Sequence, residues 1–138
     1  MSGVKNIFDV VGRSMAAQMV RMNTIASNLA NLESKASSPE EAYKPIRPVF
    51  ETAFSKSYND DGIATVDVKD VVSLDREPEM VYEPGHPNAN GQGYIFRSAV
   101  NSDEEMVEML ETSRQYQNNL EVLGTVRQLM MRTISMGK

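Results

Sequence analysis

Two stretches without proline, one at each end of the chain, limit most strongly what this sequence can fold into. From about Asn6 to Leu32, Phe8, Met15, Met22 and Leu29 recur every seven residues, and Val11, Ile25 and Leu32 share a second position where Gln18 is the polar exception. From Asp103 to about Met136 the spacing returns in Met109, Tyr116, Leu123 and Met130. Met106, Leu120 and Ile134 take a second position there, beside polar Ser113 and Arg127. A seven-residue recurrence keeps one stripe of a helix turned toward one partner, so the pattern predicts two long helices lying against each other. At about 1.5 Å per residue the first would be roughly 40 Å long, more than a small domain needs across its core.

The ends of these stretches carry helix signals. Asn6 is the expected cap of the first, with Asp9 three positions on to meet the positive end of the dipole. Ser102 and Glu105 have the spacing of a capping box for the second. Asp103, Glu104, Glu105 and Glu108 crowd its positive end, and Arg127 and Arg132 lie toward its negative end. Gly124 costs about 1 kcal/mol against alanine inside a helix, and it marks either a close helix contact or a bend. Nine of the ten methionines lie in the two end regions, residues 1–35 and 102–138, where a flexible thioether fills irregular gaps between helices.

Residues 36–101 have a different character, with all six prolines and four of the eight glycines. Ser37, Ser38 and Pro39 read as a loop, and Pro45 and Pro48 hold Ile46 and Arg47 extended. A strand is expected from Val49 to Phe54, then a turn at Asn59-Asp60-Asp61-Gly62. Val66, Val68, Val72 and Leu74 on even positions next predict a half-buried strand, whose alternation Asp70 and Val71 break. Met80–Tyr82 and Tyr94–Phe96 read as short strands joined by a loop of Pro, Gly and Asn. The expected organisation is α+β: an N-terminal axial helix (1–35), a small β-rich middle region (36–101) and a C-terminal axial helix (102–138). The two helices are expected to pair as an antiparallel coiled coil.

At 138 residues the chain suits one domain, and a net charge of -5 offers no basic surface for a nucleic-acid backbone. Cysteine is absent, which excludes disulfides and thiolate metal sites. Nowhere do eighteen apolar residues run together, and the N-terminus has no secretory signal pattern, so direct membrane insertion is not expected.

Catalytic chemistry finds little to work with. His86 is the one histidine, and between Gly85 and Pro87 it reads as a turn-packing residue rather than a base. With Glu83 or Asn88 it matches no metal-ligand spacing. Asn59–Gly62 has no calcium-loop alternation, and Gly91 and Gly93 lead into a strand instead of opening a helix. Neither enzyme activity, cofactor nor metal is expected. The first helix is more telling, because only Asp9, Arg13 and Arg21 are charged between Asn6 and Leu32. Ile7, Val10, Ala17 and Val20 lie off its seam, so one partner helix cannot cover it, and further neighbours are expected. Uncharged Asn23, Asn28 and Asn31 are candidates to bridge such neighbours.

Asn23-Thr24-Ile25-Ala26-Ser27-Asn28-Leu29-Ala30-Asn31 resembles a signature of the bacterial flagellar rod, hook and filament-axis family. Val81-Tyr82-Glu83-Pro84-Gly85-His86-Pro87-Asn88-Ala89-Asn90, followed by Gly93-Tyr94, is similar to the proximal-rod members. Glu105-Met106-Val107-Glu108 and Ser113-Arg114-Gln115-Tyr116-Gln117-Asn118-Asn119 are similar to the family's second signature. Ser98-Ala99 departs from a usual Pro-Asn pair, and the 37–41 loop has no glycine where the family often has one. The resemblance implies a structural subunit of the periplasm-spanning basal-body rod, exported by the flagellar type III apparatus without a cleaved signal. It would stack helically with copies of itself and other rod proteins, touch the surrounding ring proteins, and carry torque from motor to hook. The expected subunit interface is Phe8, Met15, Met22, Leu29, Met106, Met109, Leu120, Leu123 and Met130, with Asn28, Asn31, Arg114 and Tyr116 as polar members. A soluble coiled-coil adaptor or export partner that never polymerises is the alternative.

Overall fold

The structure is a computed structural model that describes residues 2–53 and 64–137. Its elements are α1 (Ser2–Ala30), β1 (Lys35–Ala36), β2 (Ile46–Ala53), β3 (Thr65–Ser73), β4 (Met80–Tyr82), β5 (Tyr94–Arg97) and α2 (Ser102–Met136). The chain is α+β, as expected. The turn expected at Asn59–Gly62, together with Phe54, lies outside the described residues.

α1 begins at Ser2, so Asn6 is inside the helix and is not its cap. Asp9, two turns in, forms a 3.6 Å ion pair with Arg13. α2 is capped by Asn101 rather than Ser102: its side-chain oxygen accepts from the amides of Asp103 (3.0 Å) and Glu104 (3.2 Å). No capping box forms, because the Glu105 side chain turns into the protein and is fully buried.

The two helices run side by side in opposite directions. Asn119 donates to Ser14 (3.1 Å), Arg21 to Glu108 (2.6 Å) and Asn28 to Glu105 (3.2 Å). They are nevertheless not paired as a coiled coil. The expected stripe of α1 is inside, with Val11 and Ile25 buried and Phe8, Met15, Met22 and Leu29 half-buried. On α2, half of the expected stripe points away: Met106, Leu120 and Ile134 are exposed, while buried Glu105 and Thr112 and half-buried Asn119 stand where they were expected. The reason is that Ser14, Arg21 and Asn28 draw polar groups of α2 inward, which leaves no apolar stripe for interlocking.

The second flank of α1 packs on β2 and β3, an antiparallel hairpin. This hairpin covers part of the breadth of α1 that the seven-residue pattern did not supply: Ala17 is buried and Val10 and Val20 are half-buried, while Ile7 stays exposed. Strand β2 starts at Ile46, before the expected Val49, and takes Pro48 into the strand; β2 pairs on one side only, where a missing N–H is tolerated. The break at Asp70-Val71 has a structural cause. Val49 faces Asp70 but Phe50 faces Val68, so Lys69 is an extra residue that reverses the alternation beyond it. Thr65 is buried and Val66 exposed, opposite to the even-position expectation.

The remaining strands form a sheet in the order β1-β5-β4. No local pattern marks β1, whose Lys35 and Ala36 pair with Arg97 and Phe96. Gly93 has φ 85°, and a Cβ there would come within 2.8 Å of the Tyr82 ring, which packs edge-on to Tyr94 at 5.1 Å. The Nδ1 of His86 accepts from the Asn88 amide (3.0 Å), Asn88 donates to the Lys35 carbonyl (3.0 Å) and Ser37 donates to the Asn88 carbonyl (2.9 Å). This loop fastens β1, which fits the turn-packing reading of His86.

Candidate subunit interface

This arrangement builds a buried polar joint between helices and hairpin and two exposed faces, an outward strip of α2 and the outer face of the hairpin.

The joint forms because Asn28, fully buried on α1, faces both the start of β2 and the first turn of α2. Its amide oxygen accepts from the Ile46 N–H and the Tyr43 hydroxyl, both at 2.9 Å. Its nitrogen donates to the Ile46 carbonyl (3.0 Å) and to Glu105 (3.2 Å). Arg47 donates to the other Glu105 oxygen and to Glu104 (3.4 Å), and Arg76 grips Glu104 through two bonds of 2.7 and 2.8 Å. The bonds from Arg76 hold the Glu104 carboxyl below its ordinary range, assisted by the charges of Arg76 and Arg47. Burial opposes the charge of Arg47, but the bond to Glu105 and the charges of Glu105, Glu108 and Glu104 outweigh it and raise its pKa.

The outward strip of α2 has a regular spacing. Met106, Leu110, Ser113, Gln117, Leu120, Gly124, Arg127, Met131 and Ile134 follow one another at alternating steps of four and three, so they lie on one line along the helix. Leu110 is 69% exposed, Met131 60%, Met106 57% and Leu120 47%. A Cβ at Gly124 would meet nothing within 4 Å, and an open notch is lined there by Gly124, Arg127, Gln128, Met131 and Arg132. Among the described residues nothing makes the close contact that Gly124 suggested, and the notch is open to a neighbouring chain. On the hairpin, the register places Pro48, Phe50, Val66, Val68 and Val71 on the face opposite to Arg47, Thr65 and Asp67, which turn toward the helices. Phe50, Val66 and Val71 are exposed.

The expected interface residues divide between these places. Phe8, Met15, Met22, Leu29, Met109, Tyr116, Leu123 and Met130 lie half-buried. Asn28 is consumed by the joint, and Asn31 donates to the Ser27 carbonyl of its own helix (2.8 Å). Only Met106, Arg114 and Leu120 are exposed. Leu110 and Met131 were missed, although their spacing with Gly124 was present in the sequence. Arg47, Glu105 and Thr112 were missed because apolar periodicity is blind to a polar contact. Among the described residues no cluster of His, Asp or Glu could hold a metal ion, and no helix is long and apolar enough to cross a membrane.

Comparison with known proteins finds relatives of the chain over nearly its whole length. Residues 92–136 match the family described as flagellar basal body rod FlgEFG protein C-terminal. The chain is 38% identical over 135 residues to the flagellar basal-body rod protein FlgC of Escherichia coli O6:H1, covering 96% of this chain and 97% of that one. It is 38% identical over 133 residues to the FlgC of Salmonella typhimurium, with the same coverage of both chains. It is 32% identical over 138 residues to the FlgC of Aquifex aeolicus, covering both chains fully.

Proposed function

We infer, since this chain belongs to the FlgC family of flagellar basal-body rod proteins, that the outward strip of α2 is the face by which it meets its neighbours in the rod. The protein is a structural subunit of the flagellar basal-body rod, resides there, and assembles with other rod components. Its relatives are structural proteins, and its role here is mechanical.

The exposed strip supports the finer reading. Burying a side chain such as leucine or methionine stabilises by about 1.5–3 kcal/mol, so a line of them left in water favours association. Charged side chains are few on that line, and the Gly124 notch lets a neighbouring backbone approach. Contacts that use different surfaces on the two partners need not close into a ring, so stacked copies extend as a helical array able to carry torque from motor to hook. We assign the half-buried members of the expected interface, from Phe8 to Met130, to the support of this face. The hairpin's outer face is assigned to contacts beyond the helices, with neighbouring subunits or the surrounding ring. Passage through the flagellar type III export apparatus completes the reading.

Leu120→Asp combined with Met131→Asp tests the strip. Both sites are exposed, so the purified variant is expected to keep its helix content and a stability within about 0.5 kcal/mol of the parent. A strain that carries it in place of its own copy is expected not to swim. Normal swimming would remove the strip from the assembly.

A further inference from the structure

We propose that Asn28, Glu105 and Arg47 are positioning residues: together they form a buried polar joint that fixes the hairpin at one angle to the two helices. The subunit then enters the rod as a single rigid piece. The proposal rests on the rod-subunit role, and it concerns the interior of the molecule rather than its assembly face.

The geometry carries it. The Asn28 amide makes four bonds, the full number its two donors and two acceptor sites allow. Two of them go to the N–H and C=O of the same residue, Ile46, the first of β2. The side chain thus acts as a substitute strand neighbour, and it holds the hairpin to α1 by directed bonds rather than by surfaces that can slide. A third bond goes to Glu105 of α2, and Glu105 in turn accepts from Arg47, the second residue of β2. Glu104, next along α2, links Arg47 to Arg76 in the segment after β3. Four parts of the chain therefore meet within a few bonds: α1, β2, α2 and the connection from β3 to β4.

A stability role alone accounts poorly for this chemistry. Burying a carboxylate and a guanidinium is costly, and apolar residues of similar volume often stabilise a fold as well or better. What a satisfied polar network supplies that apolar packing does not is one geometry in preference to its near alternatives. The hairpin needs such a constraint, since its outer face is exposed and only its inner face rests on α1.

The experiment separates geometry from stability. The chain has no cysteine, so Glu51→Cys on β2 and Asn118→Cys on α2, both exposed, give a single pair of spin-labelling sites in the full protein. In the parent the distance distribution between the labels is expected to be narrow. In Arg47→Met with Glu105→Leu, which keeps volume and removes the charges, the melting temperature is expected to stay within a few degrees. The distribution should widen at least twofold, and the swimming halo should shrink at least fivefold. A folded swap variant that keeps the narrow distribution, or that swims normally, overturns the proposal. Should the swap fail to fold, Arg47→Lys, which keeps the charge but loses the planar fork, is judged by the same two readouts. The Leu120→Asp, Met131→Asp variant serves as the control: it is expected to stop swimming without widening the distribution, so failure of the assembly strip and failure of the joint give different results.

Discussion

The two long helices have the same seven-residue spacing and opposite surroundings. α1 lies between α2 and the β2–β3 hairpin, and its Val11, Ala17 and Ile25 are buried. α2 rests on α1 along one side and leaves Met106, Leu110, Leu120 and Met131 in solvent. The apolar breadth of α1 pointed to missing companions on that helix, but the chain supplies most of them itself. The surface in want of a companion is on α2. An apolar stripe in a sequence states that something must cover it, and it does not say whether the cover belongs to the same chain.

This contrast breaks most visibly under alanine. Ile25→Ala removes a fully buried side chain from between two layers and is expected to destabilise the isolated protein by about 2–5 kcal/mol. Leu110→Ala, from the open strip, is expected to stay within about 0.5 kcal/mol by denaturant titration. Equal losses at both positions would mean that α2 is covered in the free chain.

Gln18 sharpens the comparison from the other side. It occupies an inner position of α1, is buried, and its Oε1 is the buried side-chain acceptor without a partner among the described residues. Gln18→Leu is expected to stabilise the monomer by about 1–2 kcal/mol, since an unpaired buried carbonyl costs about that much. A loss of stability there would place an unseen hydrogen-bond donor inside the helix pair.

The helices, the β-rich middle and the turn role of His86 were legible because each follows from local pattern. Phe8, Met15, Met22 and Leu29 lie half-buried along the stripe that their spacing marked, as apolar residues at that spacing seldom face water over a whole helix. The inner side of α2 was not legible. Glu105, Thr112 and Asn119 do not read as a packing stripe, and Glu105 at three residues from Ser102 resembles a cap member. Glu105 and Asn119 bond to Asn28 and Ser14, more than seventy residues away, and no window of local sequence contains both sides. The extra residue at Lys69 was visible only as a disturbed alternation, and β1 is too short to leave any pattern.

Removal of the true cap gives a smaller effect. Asn101→Ala is expected to cost about 1 kcal/mol, and Ser102→Ala much less, because Asn101 accepts from the amides of Asp103 and Glu104. Thermal melting of the two variants ranks them, and a larger loss at Ser102 would restore the capping box.

The smallest effect is expected from the exposed rim of the joint, where pH reports on α2 without disturbing α1. The carboxyl of Glu104 is held below its ordinary value of 4.5 by the bonds from Arg76. A carboxylate with a depressed folded-state pKa adds stability that is fully present above its unfolded value, and it loses that stability as pH falls through the folded one. The parent is therefore expected to weaken as pH falls below about 4.5, and Arg76→Gln to show a shallower decline over the same window. Both side chains are more than a third exposed, so solvent screens the pair and the difference should shrink further at high salt. An unchanged acid slope in Arg76→Gln would mean that the Arg76–Glu104 pair is not what weakens the parent in acid.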